Sequence, residues 1–126
     1  MKVKNHKIIL NWLLILMIAP LFASGPYDGI WSIRNVGYFM VTEKEETIII
    51  VRLAENTELW EAYKGNRQNK TTFQVQTFVS AVEATIQIQI LSATQLKATQ
   101  LSCKVIKEGY SCILPNGFPL IADKIF

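Results

Sequence analysis

The stretch TIQIQIL, Thr85 to Leu91, decides the fold. Ile86, Ile88 and Ile90 alternate with Thr85, Gln87 and Gln89. Successive side chains of a β-strand point to opposite faces, so one face of this segment is apolar and the other polar. The stretch has no charge and no proline, and as an exposed edge it would template aggregation. Its expected place is the middle of a sheet.

The same alternation recurs on both sides of it. Trp31 and Ile33 alternate with Ser32 and Arg34, and Phe73 and Val75 with Gln74 and Gln76. Turn residues separate the runs at Asn35-Val36-Gly37, Lys44-Glu45-Glu46, Gly65-Asn66, Lys107-Glu108-Gly109 and Pro115-Asn116-Gly117. Strands are expected near residues 29–34, 38–43, 47–53, 59–64, 71–78, 83–91, 95–105 and 110–114, with a last one near 119–125. The one helical window, Ala54 to Glu61, is interrupted by Asn56-Thr57. Regularly spaced short strands with tight turns predict an all-β fold, a small antiparallel barrel or sandwich of about eight strands. The C-terminal PLIADKIF carries Pro119 and charges and suits an edge strand. The polar KGNRQNK, Lys64 to Lys70, reads as a solvated loop.

The N-terminus predicts export. Lys2, Lys4 and Lys7 precede an apolar run from Ile8 to Phe22, and the small residues Ala23, Ser24 and Gly25 follow. That order is the pattern of a secretory signal peptide, and the run is shorter than the roughly 20 residues a bilayer span requires. Pro26 would hinder a cut after Gly25, so cleavage is expected after Ala23. Residues 1–23 are then the signal and residues 24–126 a single all-β domain, secreted or periplasmic, with no stable membrane insertion once the signal is gone.

Removing the signal changes the charge. The formal +3 comes from 13 Lys and Arg against 10 Asp and Glu, and three of the lysines lie before Ala23, which leaves 10 of each. A basic footprint for nucleic acid is absent. The only histidine, His6, also lies in the signal. The remaining domain therefore has no Ser-His-Asp or Cys-His pair, and general acid–base chemistry loses its commonest residue. No cofactor or metal is expected, since Cys103 and Cys112 match no compact zinc spacing.

An even cysteine count in an exported domain favours a bridge. A four-residue loop, Ile106 to Gly109, would place Cys103 opposite Cys112 on paired strands and close a hairpin; a three-residue loop with Gly109 as a bulge would put them on opposite faces. The oxidising compartment selects the Cys103–Cys112 disulfide, in a structural role.

Two sets of apolar residues are candidate sites. Tyr38-Phe39-Met40-Val41 and Ile48-Ile49-Ile50-Val51 are apolar on consecutive residues, so both faces of this hairpin must be hidden. The uncharged face, with Tyr38, Met40, Ile49, Val51 and Leu53, is expected to point to the core. The other face holds Phe39, Val41, Ile48 and Ile50 and ends in Glu43 and Arg52. An apolar patch rimmed by charge predicts a contact surface, unless Phe118, Leu120 or Phe126 covers it. The second set, Trp31, Trp60 and Tyr63, either packs as core or lines a ligand pocket in a barrel mouth.

Gly29-Ile30-Trp31 resembles the G-x-W opening of lipocalins and related calycin barrels. In that family an arginine from the end of the barrel partly covers the tryptophan; the final strand here offers Lys124. More loosely, the chain looks like uncharacterised exported bacterial β-proteins that share a G-x-W start. They also share a strand like Trp60-Glu61-Ala62-Tyr63-Lys64-Gly65, and an ending like Cys112-Ile113-Leu114-Pro115-Asn116-Gly117 with a terminal Ile125-Phe126. The resemblance implies a compact barrel and an exported location, and no activity.

The leading expectation is a non-catalytic binding module of the cell envelope, acting through protein–protein contact or self-association as an inhibitor or assembly subunit. The alternative is a calycin-like carrier of a small apolar ligand, and the third a hydrolase using paired carboxylates.

Overall fold

The computed structural model describes residues 25–53, 61–112 and 114–126. The expected signal segment lies outside them. Eight strands follow in chain order: β1 (Gly29–Ile33), β2 (Gly37–Lys44), β3 (Thr47–Leu53), β4 (Ala62–Asn69), β5 (Thr72–Val79), β6 (Val82–Ser92), β7 (Gln95–Val105) and β8 (Pro119–Lys124). Each pairs antiparallel with the next, and β8 returns to β1, which closes the barrel. The fold is all-β among the described residues.

TIQIQIL lies within β6, between β5 and β7, with Gln89 opposite Thr72 and Lys97, and Ile88 buried. Closure puts every strand between two others, so PLIADKIF does not form an edge. In β8, Ala122 pairs with Leu96 on one side and with Ile33 on the other. The stretch Lys64 to Asn69 is not a loop either; it continues β4, where Gly65 faces Ile48 and Val75 across the two seams. A Cβ at Gly65 would overlap the carbonyl oxygen of Gln74, so β4 and β5 approach here as only glycine allows.

The β2–β3 hairpin reverses the expected faces. Lys44 pairs with Thr47 across a two-residue loop, Glu45-Glu46, with Glu45 at φ 59°. Val41 therefore stands opposite Ile50. Val41 (3% exposed), Ile48 (0%) and Ile50 (8%) are core, with Phe39 packed against them, whereas Tyr38 (52%), Met40 (43%) and Leu53 (42%) face outward. The residues expected to form a contact surface thus line the interior. The charges that suggested a wet face find partners: Arg67 Nη2 lies 2.7 Å from the buried Glu43 Oε1, and Arg52 Nη1 lies 3.8 Å from Glu61 Oε2 in a partly exposed pair.

One end of the barrel is plugged. Trp31, Ile48, Phe73 and Val75 are its largest fully buried side chains, each worth roughly 1.5–3 kcal/mol of burial for an aliphatic or phenyl group. Trp31 Nε1 donates to the Tyr27 carbonyl at 2.9 Å, and Lys124 Nζ stands 5.9 Å from the indole. Tyr27 meets the Phe73 ring edge-on at 6.4 Å, and the Arg67 guanidinium lies 4.5 Å over the same ring. Asp28 Oδ1 accepts from Glu43 N at 2.5 Å, which ties the segment before β1 across this end.

Candidate ligand-binding site

Among the described residues the other end is open. Inside it lies a cavity of about 650 Å³, reached between the β1–β2 turn, the β5–β6 turn and the segment that follows β7. The alternation of each strand builds its wall: Trp31 and Ile33 from β1, Phe39 and Val41 from β2, Ile50 from β3, Val75 and Val79 from β5. From β6 to β8 the inward residues include Ala84, Ala98 and Ala122. Short side chains on these three strands leave open the space that Trp31 and Phe73 fill at the plugged end.

The wall is apolar except near the mouth. Arg52, Glu61 and Tyr63 line the cavity there, set by the last inward position of β3 and the start of β4. Tyr63 Oη donates to Glu61 Oε2 at 2.8 Å, and Arg52 Nη2 donates to the Val36 carbonyl at 3.0 Å. The Arg52–Glu61 pair is partly solvated and contributes about 0–1 kcal/mol, as such pairs do. Burial pushes the Tyr63 phenol well above its ordinary pKa; the Glu61 charge and the hydrogen bond it accepts push it further, and Arg52 pulls weakly the other way. Tyr63 is therefore a fixed neutral donor.

Of the sequence candidates, Trp31 and Tyr63 both line this cavity, Trp31 at depth and Tyr63 at the mouth, and Trp60 lies outside the described residues. Phe39, Val41 and Ile50 join them as wall, and Ile48 is sealed beneath. Arg52 and Glu61 were not among the sequence candidates for a pocket. The parity that puts Ile48 and Ile50 inward also puts Arg52 inward, so the signal was present once the inner face was known.

The disulfide forms, with the Cys103 and Cys112 Cα atoms 6.1 Å apart. Its surroundings differ from a closed hairpin, because residues 110–112 form no strand. Lys104 and Val105 pair instead with Glu83 and Val82 of β6. The register between β6 and β7 shifts so that Thr85 faces Ser102 and Ile86 faces Gln100. Leu101 is thus an extra residue, a β-bulge, and it turns Cys103 inward three positions after the inward Gln100. Cys112 meets it from the segment over the mouth.

Among the described residues, no group of three or more His, Cys, Asp or Glu side chains is placed to hold a metal ion. Comparison with known families, curated proteins and solved structures returns no match to this chain.

Proposed function

We propose that this chain is an exported, non-catalytic carrier of a small ligand with an apolar body and one polar end. The cavity supports the reading: about 650 Å³ of mostly apolar space, open at one end among the described residues, falls within the roughly 300–1,000 Å³ of small-ligand sites. A barrel of eight strands is just wide enough to be filled by its own side chains or to hold one small ligand, and here the alanines of β6 to β8 leave it unfilled. The apolar body of the ligand sits against Ile50, Val75, Ile86 and Ile88, and its polar end meets Arg52, Glu61 and Tyr63. The G-x-W opening resembles that of calycin carriers, with Lys124, 5.9 Å from the Trp31 ring, in place of that family's arginine. Export rests on the N-terminal pattern, to which the disulfide adds weak support through its preference for oxidising compartments.

Titration with Nile red, a neutral apolar fluorophore, tests it. The expected result is saturable binding at one probe per chain. Ala98→Trp, which fills the cavity from β7, should weaken that binding at least about tenfold, a loss of roughly 1.4 kcal/mol, while thermal stability holds or rises. Absence of binding, or equal binding by the variant, would overturn the reading.

A further inference from the structure

We infer that the Cys103–Cys112 disulfide is the latch of the cavity's mouth, and that its reduction by a dithiol releases the segment over the mouth and speeds ligand exchange. The inference rests on the carrier reading above and adds a control to it.

The segment after β7 does more than connect it to β8. Lys107, Tyr110, Ser111, Cys112 and Leu114 all line the cavity, although none belongs to a strand. They form one side of the opening, opposite Arg52 and Tyr63. The two ends of the segment are pinned to the barrel. Ile106 N and Lys107 N both donate to the Ala81 carbonyl at 3.1 Å. Beyond it, Gln100 Nε2 donates to the Leu114 carbonyl at 2.9 Å, and Gly117 N donates to the Gln100 carbonyl at 2.8 Å.

Between those anchors the arc Glu108 to Cys112 is held differently. Among the described residues its one hydrogen bond is local, Tyr110 N to the Lys107 carbonyl at 3.4 Å. Residues 108–111 are exposed to solvent, and Gly109 at φ 86° has nothing within 4 Å of where a Cβ would stand. An element with few buried contacts and exposed backbone opens at low free energy. Among the described residues the disulfide is what ties this arc to the wall, because the bulge at Leu101 aims Cys103 into the mouth.

Reduction follows the ordinary exchange chemistry. One thiolate of the dithiol attacks a protein sulfur, the S–S bond breaks, and a mixed disulfide forms with departure of the other protein sulfur as a thiolate. The second thiol of the reagent displaces the mixed disulfide. The dithiol leaves as a cyclic disulfide, having lost two electrons and two protons, and Cys103 and Cys112 take both up as thiols. The barrel wall is untouched, since every strand pairing is made without the bridge.

The test is release of Nile red from the loaded protein into phosphatidylcholine vesicles, followed by stopped flow with and without dithiothreitol. Reduction should speed release by between about tenfold and a hundredfold, the upper end being set by the loop-closure entropy that a short covalent ring withholds. The number of sites per chain and the far-ultraviolet circular dichroism should not change. Cys103→Ser/Cys112→Ser should release at the fast rate and ignore dithiothreitol. If reduction also melts the sheet, Glu108→Gly in the oxidised protein reads the same gate, because it loosens the arc at a residue outside the cavity lining and leaves both cysteines in place; release should then quicken severalfold. Unchanged release by a protein that binds the probe overturns the latch alone. Failure of the oxidised protein to bind the probe overturns the carrier reading, and the latch with it.

Discussion

At neutral pH the Tyr63 phenol keeps its proton, and its ionisation should contribute to the loss of stability at alkaline pH. Its folded pKa is raised by burial and by Glu61. For a group whose folded value lies above its unfolded one, the stabilisation is fully present below the unfolded pKa, about 10 for tyrosine. It is lost as the pH rises from there through the folded value. Guanidinium titrations across that window should therefore show wild-type stability falling with pH. In Tyr63→Phe, which keeps the ring and removes the donor, this part of the fall should be missing, and a slope equal to that of wild type would show that Tyr63 is not the group responsible. The sequence marked Tyr63 and Trp31 as aromatics of interest from residue type alone. It left Arg52 and Glu61 unmarked as pocket residues, because a charged residue at a strand end looks the same whether it faces water or a cavity mouth.

The β2–β3 hairpin shows how far alternation carries an element and where it stops. Sorting Phe39, Val41, Ile48 and Ile50 from Tyr38, Met40, Ile49 and Leu53 followed from period two, and the sorting holds in the barrel. Which set faces inward did not follow, because both are apolar and the deciding partners lie far along the chain. Glu43 finds Arg67 and Arg52 finds Glu61, so the charges at the ends of the inner face became an apparent sign of solvent. The β4 residues were missed for a related reason: Lys64 to Asn69 lack apolar inward residues, and Gly65 and Arg67 occupy those places. The corrected faces make an asymmetric prediction. Ile50→Asp buries an unpaired charge in the core and should cost about 4 kcal/mol or more, enough to abolish folding. Ile49→Asp, on the outer face, should change the denaturation midpoint little. Comparable losses at both positions, measured by chemical denaturation, would contradict the inward assignment.

At the scale of the whole molecule, closure was the step the sequence did not show. Periodicity names strands one at a time, and the seam joins β1 to β8 across almost the whole domain. That seam is also the shortest ladder. It runs from Trp31 to Ile33 against Ala122 to Lys124, extended by Ile125 N donating to the Ile30 carbonyl at 2.9 Å, whereas β6 and β7 pair from Val82 to Ser92. Local opening follows the weakest cooperative unit. Amide hydrogen exchange should therefore be faster along β1 and β8 than in the centre of β6 and β7, and equal protection across the barrel would rule out the seam as its point of opening. The bulge at Leu101 has a different kind of consequence. A strand is a counter with two states, and one inserted residue changes its phase for everything downstream. Before Leu101 the inward beat falls on Leu96, Ala98 and Gln100; after it, on Cys103. Remove that single beat and the sulfur would point away from the mouth with no other residue altered, so the covalent chemistry of this barrel is set by a matter of counting.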